Sequence, residues 1–151
     1  MTLRIVQFLA VVLTALALVP AGAHLFEMPA KLALTQDDYF VVQTIYRGWA
    51  LFGTVLIGAL IANLALTVLL RGTGLHCALA GSAFLLVAAT LAIFFTWTYP
   101  ANRATRNWTV VPENWEALRT QWEYAHAANA VLTFIAVCAL VLALVIPRRR
   151  A

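Results

Sequence analysis

Residues 127–146, AANAVLTFIAVCALVLALVI, decide the fold. The run carries no charge, and as a helix rising about 1.5 Å per residue it crosses a hydrocarbon layer of about 30 Å. Residues 5–23, 49–70 and 75–97 read the same way. Backbone groups in lipid have no water to pair with, so each run must be a helix. Of the 151 residues, 64% are hydrophobic and 11% are charged. Soluble domains carry about 25% charged residues, so lipid is the solvent for most of this surface. The expectation is one all-α domain, residues 1–151. It is an integral membrane four-helix bundle, up-down-up-down, with helical extensions on the outer side.

The basic residues orient it. Arg4, Arg71 and the run Arg148, Arg149, Arg150 flank the apolar runs on one side, predicted cytoplasmic. The longer loops 24–46 and 98–126 then lie outside, although Arg103, Arg106 and Arg119 in the second work against the bias. Both termini are expected in the cytoplasm, with the chain in the cell inner membrane. The net charge of +4 is spread over membrane flanks. A nucleic-acid partner would need it gathered on one soluble face. Ala21-Gly22-Ala23 also fits a cleavable secretory signal, but the apolar run exceeds the usual signal core of about 7–15 residues. Cys77 and Cys138 fall at different depths and there is no C-x-x-C, which argues against a disulfide and a dithiol redox centre.

Gly72 and Gly74 make the second connection tight. Gly53, Gly58, Ala59, Ala62, Ala80, Gly81, Ala88 and Ala89 supply small surfaces on which helices approach closely in lipid. Asn63 is the main polar residue inside the spans, and His76 reads as a lone interface residue.

The outer loops carry helical signals. Thr35-Gln-Asp-Asp38 is a capping box whose helix can run straight into the second span, with Tyr39, Gln43, Tyr46 and Ala50 on one inward face. Pro112 suits the first turn of a helix that continues into the fourth span. Along it Trp115, Arg119, Trp122, His126 and Asn129 recur every three or four residues as one stripe, with Glu123 beside it.

His24 and Glu27 end the first span, and Glu123 and His126 enter the fourth; each pair shares a helix face. The helices run in opposite directions, so the two His fall at one depth and the two Glu about one turn, roughly 5 Å, above. Three readings stand side by side. His24, Glu27, Glu123 and His126 suit a transition metal such as Cu, Fe or Zn. Paired His at one depth also suit axial ligation of haem, which the carboxylates disfavour. The third is a polar network in which Arg119 pairs with Glu123 and Arg47 with Glu27.

Tyr99-Pro-Ala-Asn102, Thr105-Arg-Asn-Trp-Thr109, Pro112-Glu-Asn-Trp-Glu-Ala-Leu-Arg119 and Gln121-Trp-Glu-Tyr-Ala-His126 resemble a four-helix membrane family of unknown function that also contains the fungal anthrone oxygenases. The resemblance implies oxidation of an activated aromatic ring and points to Asn102, Trp115, Arg119, Trp122 and His126. The expected roles follow. His126 is the base or metal ligand, Arg119 and Asn102 hold the anion, and Trp115, Trp122, Tyr46 and Tyr99 contact a hydrophobic aromatic substrate. Two other functions fit the same residues: an accessory subunit that docks a membrane partner or a second copy, and a haem or metal carrier.

Overall fold

The computed structural model describes residues 1–147. The arginines at 148–150, used above for orientation, lie outside the described residues. The chain is all-α and presents four candidate membrane spans. The long helices are α1 (Thr2–Leu32), α3 (Phe52–Leu69), α4 (Leu75–Ile93) and α6 (Trp115–Val145). Two short helices, α2 (Gln36–Val42) and α5 (Tyr99–Ala104), lie in the connections. Helix α1 packs on α3 and α6, and α4 packs on the same two, which closes a ring of four.

The helices are inverted relative to a soluble bundle. Ala10, Ala59, Ala80, Ala83 and Ala136 are buried, while Phe8, Leu85 and Phe134 are exposed. In lipid the gain comes from close backbone approach and dispersion, so small residues line the seams and bulky ones face the bilayer. Gly58 follows this rule: a Cβ there would lie 3.4 Å from a methyl of Leu13. Gly53 does not, since it is exposed with nothing near it. Midway, Asn63 Nδ2 donates to Thr14 Oγ1 at 3.0 Å and to the Ala59 carbonyl at 2.8 Å, clamping α3 to α1.

The start of α1 and the end of α6 lie at one end of the bundle. There His76 is buried and not alone, its Nε2 3.0 Å from the Ile146 carbonyl at the end of α6. That carbonyl has no partner within the helix, which explains the attraction. Cys77 and Cys138 are both free thiols.

At the opposite, distal end three helical columns outrun α3. Helices α1 and α6 have 31 residues each, about 46 Å, and α4 continues through its last turn and α5 to Ala104 as a 30-residue run of about 45 Å, against about 27 Å for α3. Helix α1 passes through Pro20 and Pro29 without ending, well beyond residue 23. Each proline removes one N–H, but lipid and packed neighbours offer the backbone no alternative to the helix.

The connection after α1 begins as the capping motif predicts, with Thr35 Oγ1 accepting from the Asp38 N–H at 3.3 Å. It does not continue straight into α3. A 3-10 turn follows at Gln43–Tyr46, Gly48 adopts φ +90°, and a second 3-10 turn at Trp49–Leu51 leads to Phe52. The break puts Ala50 on the exterior, off the face shared by Tyr39, Gln43 and Tyr46.

Helix α4 widens into a π turn at Phe94–Thr98, and Gln121 Nε2 donates to the Trp97 carbonyl at 2.7 Å. After α5, Arg106, Asn107 and Trp108 take φ of 47°, 55° and 62°. Left-handed backbone costs about 1–2 kcal/mol per residue for side chains with a Cβ. The turn is held by Thr105, fully buried, whose Oγ1 accepts from the Trp108 N–H at 3.1 Å and donates to the Ala101 carbonyl at 2.8 Å. Helix α6 starts at Trp115 behind Asn114, so Pro112 lies ahead of its first turn and not within it.

Candidate functional site

Six rings and three charges converge between the distal ends of α1 and α6. Their centre is Lys31, the chain's only lysine, with a side chain 4% exposed. Its Nζ lies 3.0 Å from Glu123 Oε2, an ion pair off hydrogen-bond alignment, and 3.7 Å from Glu27 Oε2. It donates to the Tyr46 hydroxyl at 2.9 Å and approaches His24 Nδ1 at 3.5 Å. The ammonium also sits 4.9 Å and 5.0 Å from the ring centroids of Tyr46 and Trp122, within cation–π range. His24, Glu27 and Lys31 stand three and four residues apart, so one face of α1 delivers all three.

Helix α6 brings Glu123, whose side chain is fully buried. A buried carboxylate needs a counter-charge and hydrogen bonds, and Glu123 finds Lys31 for the first and the Tyr39 hydroxyl, 2.9 Å from Oε1, for the second. Tyr46 donates to Glu27. Burial, reinforced by Glu123, raises the Tyr39 hydroxyl pKa far above the ordinary tyrosine value. Burial and the hydrogen bond to Glu27 do the same at Tyr46. Both tyrosines therefore act as neutral donors.

The two His fall at one depth, as the antiparallel reading requires. Their ring centroids are 4.1 Å apart with planes 34° from parallel. The Trp122 ring lies 4.1 Å from His126 and 4.9 Å from His24, with Tyr46 and Trp49 completing the surround of His24. His126 Nε2 is buried and has no hydrogen-bond partner, as are Arg119 Nε and Asn129 Oδ1 further along the stripe.

This arrangement does not fit a metal or a haem. Among the described residues no three of His, Cys, Asp and Glu gather as a ligand set. Lys31 explains why: its ammonium stands where a cation would have to sit among His24, Glu27 and Glu123. The two imidazoles stack directly on each other, which leaves no gap for a porphyrin between them. The polar network is what forms, with different partners. Neither Arg119 nor Arg47 pairs with a carboxylate among the described residues; both Glu27 and Glu123 pair with Lys31.

Arg119 and Asn102 are used for holding the site together. Arg119 Nη1 donates to the Leu34 carbonyl at 3.0 Å, and the guanidinium stacks 4.6 Å from the Trp115 centroid and 5.5 Å from Tyr39. Asn102 Oδ1 accepts from two indoles, Trp108 Nε1 at 3.2 Å and Trp122 Nε1 at 2.8 Å. Both lone pairs of that oxygen are thereby taken. Trp115 packs with Tyr39 and Phe40 at the edge of the cluster. Tyr99 stands apart, exposed, against Phe94, Phe95 and Arg103. A groove of about 780 Å³ opens on a neighbouring face of α6, lined by Ile93, Trp97, Gln121 and Tyr124, and does not include the cluster.

Lys31 and Tyr39 as partners of Glu123 are what the sequence reading missed. Lys31 continues the spacing of His24 and Glu27 by one turn, a signal hidden by ending the helix ahead of Pro29. Comparison with family models, curated proteins and solved structures finds no match for this chain. The fold and site define a multi-pass membrane protein with a buried, internally neutralised polar centre at one end of its bundle.

Proposed function

We propose that this protein is a membrane oxidoreductase acting on a hydrophobic aromatic compound at the distal, outer end of the bundle, with His126 as proton acceptor. The observation that carries the reading is the His126 Nε2 atom, buried without a partner inside an aromatic surround. A neutral imidazole so placed can take a proton from a phenol or an activated ring carbon. Trp122, packed 4.1 Å from the His126 ring, is the aromatic surface that a flat substrate entering the cluster would meet. Arg119 stands seven residues from His126, two turns or about 10 Å along α6. Its unpartnered Nε–H can meet the anion that forms at the far end of a fused-ring substrate.

The resemblance to anthrone oxygenases supplies the reaction class. Loss of a proton to His126 leaves a ring-stabilised anion that reacts with dioxygen. One oxygen atom ends as a ring carbonyl and the other leaves as water, so CH2 and O2 become C=O and H2O. Lipid solubility of the substrate matches a site at the membrane boundary.

Oxygen uptake with an anthrone or a hydroquinone, measured on protein in lipid nanodiscs, tests the reading. His126→Ala should lower the rate by roughly a hundredfold or more. Equal rates for the variant and the wild type would overturn the assignment.

A further inference from the structure

The cluster contains a continuous line of polar contacts with one wet end. Glu27 has a side chain 41% exposed. Tyr46 donates to it, Lys31 donates to Tyr46 at 2.9 Å, and Lys31 faces Glu123 at 3.0 Å. Glu123 and Tyr39 at the far end are fully buried. Exposure thus falls from a surface carboxylate to a sealed one across three side chains. We propose that Glu27, Tyr46 and Lys31 form a proton-exchange path between outer water and the buried Glu123 carboxylate.

The transfer balances without any other reactant. A protonated Glu123 passes its proton to Lys31 as Lys31 passes one of its own to the Tyr46 oxygen. Tyr46 hands its hydroxyl proton to Glu27, which releases it to water. No bond between heavy atoms changes, and Lys31 and Tyr46 end with the protons they began with. The high affinity of Tyr46 for its proton suits a carrier that is never left ionised.

The other charged and titratable neighbours of Glu123 do not lead out. Tyr39, from α2, is itself sealed. Arg119, on α6, is bound to the Leu34 carbonyl and stacked on Trp115, and a guanidinium does not give up a proton. His126 lies one turn further into the bundle on α6. His24, from α1, is 5% exposed and stacks on His126. His24 Nδ1, 3.5 Å from Lys31, brings the path to the ring beside the proposed base. The path rests on the oxidoreductase reading for its use, as the exit for the proton that His126 removes.

Because Lys31 is the only lysine, lysine labelled with 15N at Nζ gives one ammonium resonance for the whole protein. Its exchange with water can be read by NMR in nanodiscs with no substrate present. In the double variant Glu27→Gln/Tyr46→Phe, exchange should slow by roughly a hundredfold, the lower range of what a positioned proton carrier contributes. Glu123→Gln should not slow exchange, since the path to water runs on the other side of Lys31. Wild-type exchange in the double variant overturns the path, as does an equal slowing in Glu123→Gln. Should the double variant fail to fold, Glu27→Gln alone keeps side-chain size and must still slow exchange. Slowed exchange alongside unchanged oxygen uptake in His126→Ala would retain the path and remove the oxidoreductase reading.

Discussion

Replacing Lys31 by Met should strongly destabilise the distal end of this protein. Met keeps the length of the side chain and removes the charge. Glu123 would then be a fully buried carboxylate whose nearest cation is gone, retaining the Tyr39 hydroxyl at 2.9 Å. Removing one partner of a buried ion pair costs about 3–5 kcal/mol, because the remaining charge is left desolvated and uncompensated. The loss of the Tyr46 hydrogen bond adds about 1 kcal/mol. Adding Glu123→Gln to the same chain removes the stranded charge while leaving an oxygen for Tyr39, and the double variant should fall only about 1–2 kcal/mol below wild type. The assay is unfolding in mixed micelles of rising SDS content, followed by circular dichroism. A Lys31→Met loss of under about 1 kcal/mol would refute the argument. So would a double variant no more stable than the single one.

Asn102→Ala should cost about 2 kcal/mol, since two indole N–H groups lose their shared acceptor, whereas Asn102→Asp should be milder; thermal melts and tryptophan emission report both. His76→Ala should cost about 1 kcal/mol and speed amide exchange at residues 142–146, where the α6 end loses its partner. Arg106→Gly should leave stability unchanged or raise it by up to about 1 kcal/mol, since glycine adopts φ of 47° without penalty. Tyr39→Phe and Tyr46→Phe should not alter tyrosinate absorbance of the folded protein up to about pH 11. The unfolded chain releases those two protons near pH 10 while the folded one holds them, so stability falls as pH rises past that point.

The membrane fold was legible because it rests on long uninterrupted apolar runs, the least ambiguous pattern a chain can carry. The inward stripe of α6 was legible for the same reason: Trp115, Arg119, Trp122, His126 and Asn129 repeat at helical spacing over four turns. The end of α1 was not, because Pro29, Glu27 and Lys31 each look like the close of a span when read one at a time. Only the packed partner Glu123 shows that Lys31 belongs inside. The break at Gly48 follows glycine's own tolerance of positive φ, a local signal present in the sequence, whereas the left-handed turn at Arg106–Trp108 was hidden, since tertiary packing decides it against local preference. Choosing between metal and network needed coordinates: identical residue types serve both, and the deciding atom, Lys31 Nζ, belonged to a residue outside the constellation.

The inversion of the bundle, alanine within and bulky side chains without, has a consequence for how the molecule comes apart. Its two ends answer to different agents. The alanine seams hold only while the surrounding solvent is itself oily, so detergent and bilayer thickness act on that half. The distal half is cross-linked by charge and aromatic contact, and acid or alkali acts there. A chain loosened by detergent would keep its Lys31 knot while the seams drift, and one loosened by alkali would lose the knot first and keep its seams. Two partly unfolded forms with opposite intact ends are therefore accessible to the same sequence, each reached by its own solvent.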